Sequence, residues 1–563
     1  VLYGYEVDVK YRWRDTNPKV GANLFAVTAL EDTTVRPNFV NNGGILRGIA
    51  PPTPTIKSQA NMVAAFYKRV AMSHSVHHPE RIKFGAFILE HYIPWLLSHM
   101  GEVKVMTDDE YIDTLEVTKE KKEALKEICA KLRIKGYILD PRLRIIQAFI
   151  KLEFYEVTGK FPRVIMPQDE ASRAAFGAPL HAVNHCILQL PSSIKAIPFN
   201  ERPKWLRDKF GDDEVSQNDF SCYESSSDKW MIINVLRPIF LALSFPADEA
   251  RIGLYFDLKV RKQLFKYGKM MFYADPVMRS GDLDTASGNF FVNDAAIAYA
   301  SWVSGGLGVD HPRAVEGDDS VFKRIEGIEQ IFKNLGFTAK LENKDHVRDA
   351  VFCRVYCGGT AALTDGIYVV SKLGWSSAQY IFASKEKKTG LLKAKCMSYI
   401  CQYSGCPIVS PLCDKILNTI EDIEEVSNKD WWEREKMKFW KPELRNKKVL
   451  DSDRAEYERL FGITPEDQKI IEQELIDSVD RWDKDWKNDI ENFLESPTAV
   501  NIVNNTKPGW TEYYADYAHV VDSDKFIKER FNYRREKPWS CDFQDHIYHV
   551  HNKTKLGAHL VFR

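Results

Sequence analysis

Three aspartates and the residues around them carry the chemistry of this chain. Asp219 opens Asp219-Phe-Ser-Cys-Tyr-Glu224, and Asp318 and Asp319 lie in Val315-Glu-Gly-Asp-Asp-Ser-Val-Phe322. Between them stands Ser280-Gly-Asp-Leu-Asp-Thr285-Ala-Ser-Gly-Asn289. Carboxylates delivered to one spot from separate strands are what a pair of divalent cations needs as ligands. Ala314-Val315 before Gly317-Asp318-Asp319 and Ser320-Val-Phe322 after it predict a strand–turn–strand hairpin. A strand ending at Asp219 would bring in the remaining acid. A second Gly-Asp-Asp, at 211–213, serves as an internal control. Its flanks, Arg207-Asp-Lys-Phe210 and Glu214-Val-Ser-Gln217, are polar. Asp213 also comes too soon before Asp219 for a hairpin to close and a new strand to start, so this copy reads as a surface loop.

The middle segment has a different character. Ser280-Gly281 predicts a flexible loop whose backbone can approach a ligand closely, because glycine has no Cβ. Thr285 and Asn289, four apart, share one face of the helix expected to follow. Upstream, Lys151-Leu-Glu153 and Lys160-Phe-Pro-Arg163-Val-Ile165 gather cations. Arginine suits bidentate contact with phosphate, and the lysines supply point charges.

In this order the segments resemble motifs A, B and C of the RNA-dependent RNA polymerases of positive-strand RNA viruses, in the tombusvirus- and nodavirus-like assemblage. Lys372-Leu-Gly-Trp375, Leu391-Leu-Lys-Ala-Lys395, Gly405-Cys-Pro-Ile408 and Phe461-Gly-Ile-Thr-Pro-Glu-Asp-Gln468 are similar as well, so the likeness runs from about Lys151 to Glu474. It implies an α+β right hand with fingers, a palm of antiparallel strands and a helical thumb. The divisions expected are 1–195 for an N-terminal extension and fingers, 196–235 for palm with motif A, 236–276 for a fingers insertion, 277–371 for palm with motifs B to E, and 372–563 for thumb and tail. Asp219 and Asp318, assisted by Asp319, would hold two Mg²⁺ or Mn²⁺ ions. Lys151, Lys160 and Arg163 would form motif F over the incoming triphosphate. Ser280, Gly281, Thr285 and Asn289 would contact the nucleotide, the last two reaching a 2′-OH through Glu224, and Asp282 would help bind the ribose. Glu224 stands where many of these polymerases have an aspartate one methylene shorter.

Further along, Gly336-Phe-Thr-Ala-Lys340-Leu-Glu-Asn-Lys344 resembles motif D, whose lysine protonates the pyrophosphate leaving group. Spacing favours Lys344 over Lys340. Val351-Phe-Cys-Arg354 resembles the motif E hairpin that supports the nascent strand. The implied partners are an RNA template, its nascent strand, NTPs and other viral replication proteins. The implied location is the host cytoplasm, at virus-induced membrane sites reached through sequence outside this chain. Two rivals stand beside this reading. A reverse transcriptase shares the palm, and a non-catalytic palm-like RNA-binding protein would bind RNA without divalent metal. No Walker A or Gly-x-Gly-x-x-Gly sequence marks a helicase or methyltransferase module.

The elements that must position these groups follow from pattern. The chain has 563 residues, 44% of them hydrophobic, which predicts several folded units rather than disorder. A net charge of −1, from 78 basic and 79 acidic residues, neither favours nor excludes nucleic acid, since phosphate contacts are local. Ten scattered cysteines show no zinc-finger spacing and read as free thiols. Thr118–Ile134 and Ile328–Leu335 predict helices, and Trp230–Phe245, broken by Arg237-Pro238, predicts a buried helix rather than a membrane span. Gly43-Gly44, Pro51-Pro52 and Pro54 mark an irregular region. From Ile150 to about Thr360 strands and helices alternate, and beyond Lys372 helices dominate. Thr464-Pro-Glu-Asp467 is a helix start. A first residue of Val1 raises the expectation of further sequence upstream. The aromatic, His-containing tail carries no functional assignment.

Overall fold

The computed structural model describes residues 4, 23–25, 37–42, 51–71, 77–101, 105–137, 145–155, 159–261, 263–268, 270–425 and 431–487. Gly43-Gly44 and the tail's Tyr513, Tyr514, Tyr517, His546, His549 and His551 lie outside these. The fold is mixed α+β with small, mainly antiparallel sheets.

A four-stranded antiparallel sheet sits at the centre, in the order Ala339–Lys344, Val215–Phe220, Asp319–Lys323, Arg313–Glu316. Alternation along its strands sends side chains to two cores. Phe220 stacks with Tyr223, Phe332 and Phe337 under two helices, Thr285–Val303 and Ile328–Leu335. Val215, Ala314 and Val321 face the other way, onto Ile194, Leu206, Phe210, Val347 and Phe352. Every residue of the helix Thr285–Val303 from Ser287 to Ser301 is buried, as expected of a helix apolar nearly all round.

The predicted helices form. Lys119–Ile134 starts at Thr118, whose side chain accepts the Lys121 N–H. Ile328–Leu335 has the bounds expected. The chain is helical from Lys229 to Ala242, and a widened turn at Ile232–Leu236 precedes Pro238, relieving the proline of a hydrogen bond it cannot make. No described helix is long and apolar enough to cross a membrane. Five helices, Lys385–Tyr403, Val409–Thr419, Trp431–Met437, Asp451–Phe461 and Pro465–Lys487, make up most of the described chain after Lys372. Thr464 Oγ1 accepts the Asp467 N–H at 3.1 Å and caps the last of them. The nine described cysteines are free, seven of them buried.

Two further pieces frame the centre. A second sheet runs Asn23–Phe25, Met270–Ala274, Gln263–Tyr267, Ile145–Gln147, its last pair parallel. The short strand Phe39–Asn41 pairs with Trp375–Ser377. Phe39 stacks on Phe154 at 4.1 Å, and Trp375, fully buried, packs in the same cluster with Leu152. This early segment therefore joins the 149–165 region to the residues that open the helical half.

Candidate functional site

The two halves of Gly317-Asp318-Asp319 do different work. Asp319 pairs with Glu316 across the hairpin, leaving Gly317 and Asp318 as its two-residue connection. Gly317 has φ +63°, a left-handed value that such a connection requires and glycine adopts without strain. Ser320 pairs with Asn218, so one step along the ladder Asp319 stands opposite Asp219, about 4.5–5.5 Å away at Cα. Lys340 is opposite Asp219 on its other side. One row of charge, Lys340–Asp219–Asp319–Glu316, thus crosses all four strands on a single face. The control copy behaves as a loop: Asp212 is fully exposed and Asp213 pairs with Lys323 at 2.9 Å.

Crowding of like charge is visible in the acids. Burial pushes the Asp318 carboxyl up to about 6, and Glu224 and then Asp219 add to the rise against the pull of Arg163. Burial, then Asp318 and Asp219, push Asp319 up to about 7, opposed by the Cys353 thiol and Arg354. Both residues keep some contact with solvent while protein hems them in on most sides. That combination describes the floor of an open cleft. Cys353 and Arg354 form the tip of the hairpin Val351–Phe352/Val355–Tyr356, and both adopt positive φ, +50° and +62°. Two adjacent non-glycine residues in that region are strained, as happens where a tip must point a particular way.

The basic segment folds over this floor. Phe149–Ile150 pairs with Val164–Ile165, and the Lys151 N–H donates to the Arg163 carbonyl at 2.8 Å. Glu153 organises the cations: Lys151 Nζ lies 3.2 Å and Arg163 Nε 3.6 Å from its carboxylate, and the Tyr155 hydroxyl donates to it at 2.7 Å. Burial alone would raise the Glu153 carboxyl, but Lys151 and Arg163 outweigh it and hold the group below its usual range. Lys160 Nζ sits 5.5 Å from the centre of the Tyr155 ring. Burial works against the Arg163 charge, yet Glu153, Glu224 and Asp318 together make it harder to lose. Arg163, Glu224 and Asp318 therefore share one electrostatic neighbourhood.

The Ser280–Asn289 segment is placed differently from expectation in several details. The Ser280 carbonyl accepts the Met166 N–H at 2.7 Å. Gly281 has φ +104°, and a Cβ there would stand 3.0 Å from Ile165 Cγ2 and 3.3 Å from the Pro167 nitrogen. Its missing side chain thus admits the neighbouring 165–167 backbone, where a ligand was expected. Asp282, expected beside a ribose, has a wholly buried carboxylate held by Lys259 at 3.0 Å and Arg279 at 2.8 Å. Lys259 also grips Asp284 at 2.6 Å, and the Tyr255 hydroxyl donates to Asp284 at 2.6 Å. The Thr285 hydroxyl donates within the loop, to the Arg279 carbonyl at 2.5 Å or that of Asp282 at 3.1 Å. Asn289 is buried and its Oδ1 has no protein partner.

The preference between the two lysines reverses. Lys340 Nζ donates to Asp219 Oδ2 at 2.7 Å. Lys344 lies opposite Val215 and pairs with Glu342 at 2.9 Å, four residues and about 13 Å along the strand from the Asp219 row. Spacing could not reveal this, because pairing register decides which lysine meets the acids. Glu153 was legible as part of Lys-Leu-Glu but not as an organiser. Asn293, one further helical turn beyond Asn289, was also missed.

The donor set is all oxygen and carboxylate, which suits a hard divalent cation. The raised acids fit the same role, since a cation stabilises the charged form that burial and, after it, neighbouring carboxylates disfavour. Among the described residues, no three His, Cys, Asp or Glu side chains converge as a finished cage. The Asp219 carboxylate is turned to Lys340 instead. The chain matches no protein-family model and no curated protein.

Proposed function

We propose that the chain is an RNA-dependent RNA polymerase that copies a positive-strand viral RNA from NTPs, with the central sheet as palm. One observation carries the reading: strand register sets Asp219 beside the Asp318-Asp319 turn, with Arg163 and Glu224 in the same electrostatic neighbourhood. In this scheme Asp219, Asp318 and Asp319 hold two Mg²⁺ or Mn²⁺ ions, which activate the 3′-OH and offset triphosphate charge. Arg163, with Lys151 and Lys160, receives the triphosphate, and Glu153 keeps those cations in place. Glu224 and the open acceptor of Asn289 face the ribose. Asp282 acts at one remove, by fixing the loop through Arg279 and Lys259. Lys340, rather than Lys344, gives a proton to the departing pyrophosphate.

The test is incorporation on a primed and an unprimed RNA template, with NTPs and dNTPs offered side by side and Mg²⁺ or Mn²⁺ added or withheld. The wild type should extend with NTPs and metal only, and D318A should lose extension while still binding template. Extension with dNTPs would turn the reading towards a reverse transcriptase. RNA binding with no extension under any metal would leave only a scaffold.

A further inference from the structure

Resting on that reading, we propose that Asn293, together with Ser320, is a clamp that positions the metal-binding turn against the helix carrying Asn289. Asn293 is fully buried among Phe290, Phe291, Val292, Ala295 and Ala296. Its Nδ2 donates to the carbonyls of Gly317 at 3.1 Å and Asp319 at 3.4 Å, and its Oδ1 accepts from Ser320 Oγ at 3.4 Å. Each of these contacts falls on the turn or next to it, so one amide brackets Asp318.

Asn218 lies beside this clamp without joining it. It pairs with Ser320 in the ladder, so the two side chains share a face. It is almost wholly buried, and neither its Oδ1 nor its Nδ2 has a protein partner. A buried amide without partners opposes folding, and a leucine would fill the Asn218 volume without that cost, whereas Asn293 is bonded on both its donor and its acceptor. What an amide offers here is direction: it fixes the height of the Gly317 and Asp319 carbonyls relative to the helix. Asn289 and Asn293 are one turn apart on that helix. The same rigid element therefore ties the group that reads the nucleotide to the groups that hold the cations.

The test uses N293L, which fills the volume but removes donor and acceptor, and S320A, which removes the hydroxyl that Asn293 Oδ1 accepts from, with N218L as a control that removes an amide bonding to no protein group. Mn²⁺ affinity is measured by EPR on the full chain without RNA or nucleotide, alongside thermal melting and single-turnover incorporation. N293L and S320A should bind Mn²⁺ more weakly, by about 10–100-fold for N293L, the range seen when groups behind a metal ligand are removed. N218L should melt at or above the wild-type temperature and bind Mn²⁺ as the wild type does, which separates the bonded amide from an amide that is merely buried. Wild-type Mn²⁺ affinity in folded N293L or in S320A overturns the clamp. A wild type that binds Mn²⁺ but incorporates no nucleotide sinks the polymerase reading and leaves the clamp to be judged on Mn²⁺ affinity alone.

Discussion

Replacing Lys340 and Lys344 one at a time with methionine separates two roles that look alike in the sequence. Lys340 stands opposite Asp219 and touches its carboxylate at 2.7 Å, whereas Lys344 stands opposite Val215. The separation along the strand is about 13 Å, roughly twice what a lysine's four-carbon stem can span. A proton donor must come within hydrogen-bond reach of the atom it serves, so only Lys340 can act where Asp219 acts. Its ion pair with Asp219 is more than half exposed on both sides, so losing it costs at most about 1 kcal/mol of stability. Catalysis should suffer far more. K340M should lower the single-turnover rate by about 10²–10⁴-fold, the usual worth of a general acid. The fall should come with a loss of the solvent deuterium isotope effect, while melting stays nearly unchanged. K344M should stay within about threefold of wild type, since it removes only an exposed pair with Glu342. A slower rate for K344M than for K340M, or equal impairment of the two variants, would refute the placement of the proton donor by strand register.

Three other outcomes follow from the structure. The folded carboxyls of Asp318 and Asp319, near 6 and 7, lie above the ordinary 3.8. The native state then holds protons that the unfolded chain has released, and stability is full below about pH 4 and declines as pH rises through 6 and 7. Metal-free D319N should therefore melt above wild type at pH 8, by on the order of 1–3 °C, with the gap closing towards pH 4; a gap independent of pH would contradict the crowding. Removing Lys259 leaves the buried Asp284 carboxylate with a hydroxyl but no cation, and Asp282 with Arg279 alone, so K259M should cost about 3–5 kcal/mol in denaturant unfolding, and a change below about 1 kcal/mol would show the network to be slack. N289A should narrow NTP-over-dNTP discrimination by about 10–100-fold, measured as the ratio of kcat/KM values, and unchanged discrimination would move ribose recognition elsewhere.

The parts of the fold written in local chemistry were legible. Thr118 and Thr464 announce their helices because a cap is a contact between residues three apart. Gly317 announces the hairpin because only a turn with positive φ needs a glycine between two apolar pairs. What stayed hidden depends on partners distant in sequence. Lys344 was preferred to Lys340 because spacing says nothing of which residue faces Asp219. Asp282 looked free to meet a sugar because Lys259 lies in another element and its grip is purely tertiary. Gly281 was rightly singled out as a place of close approach, but the approaching backbone is that of residues 165–167. Asn293 could have been found by one more step of four along the helix from Asn289.

The pairing of Phe39–Asn41 with Trp375–Ser377 bears on how the molecule can be shortened. Nothing in the early sequence advertises a catalytic role, and a deletion up to residue 42 would look harmless. Such a cut would strip a partner strand from Trp375, unstack Phe154 and leave Asn42's bonds to Gly374 and Ser376 unmade. The piece that remained would keep Asp219, Asp318 and Asp319 and lose its brace. A truncated chain that failed the incorporation assay would then report a broken tether, and not a missing reactive group.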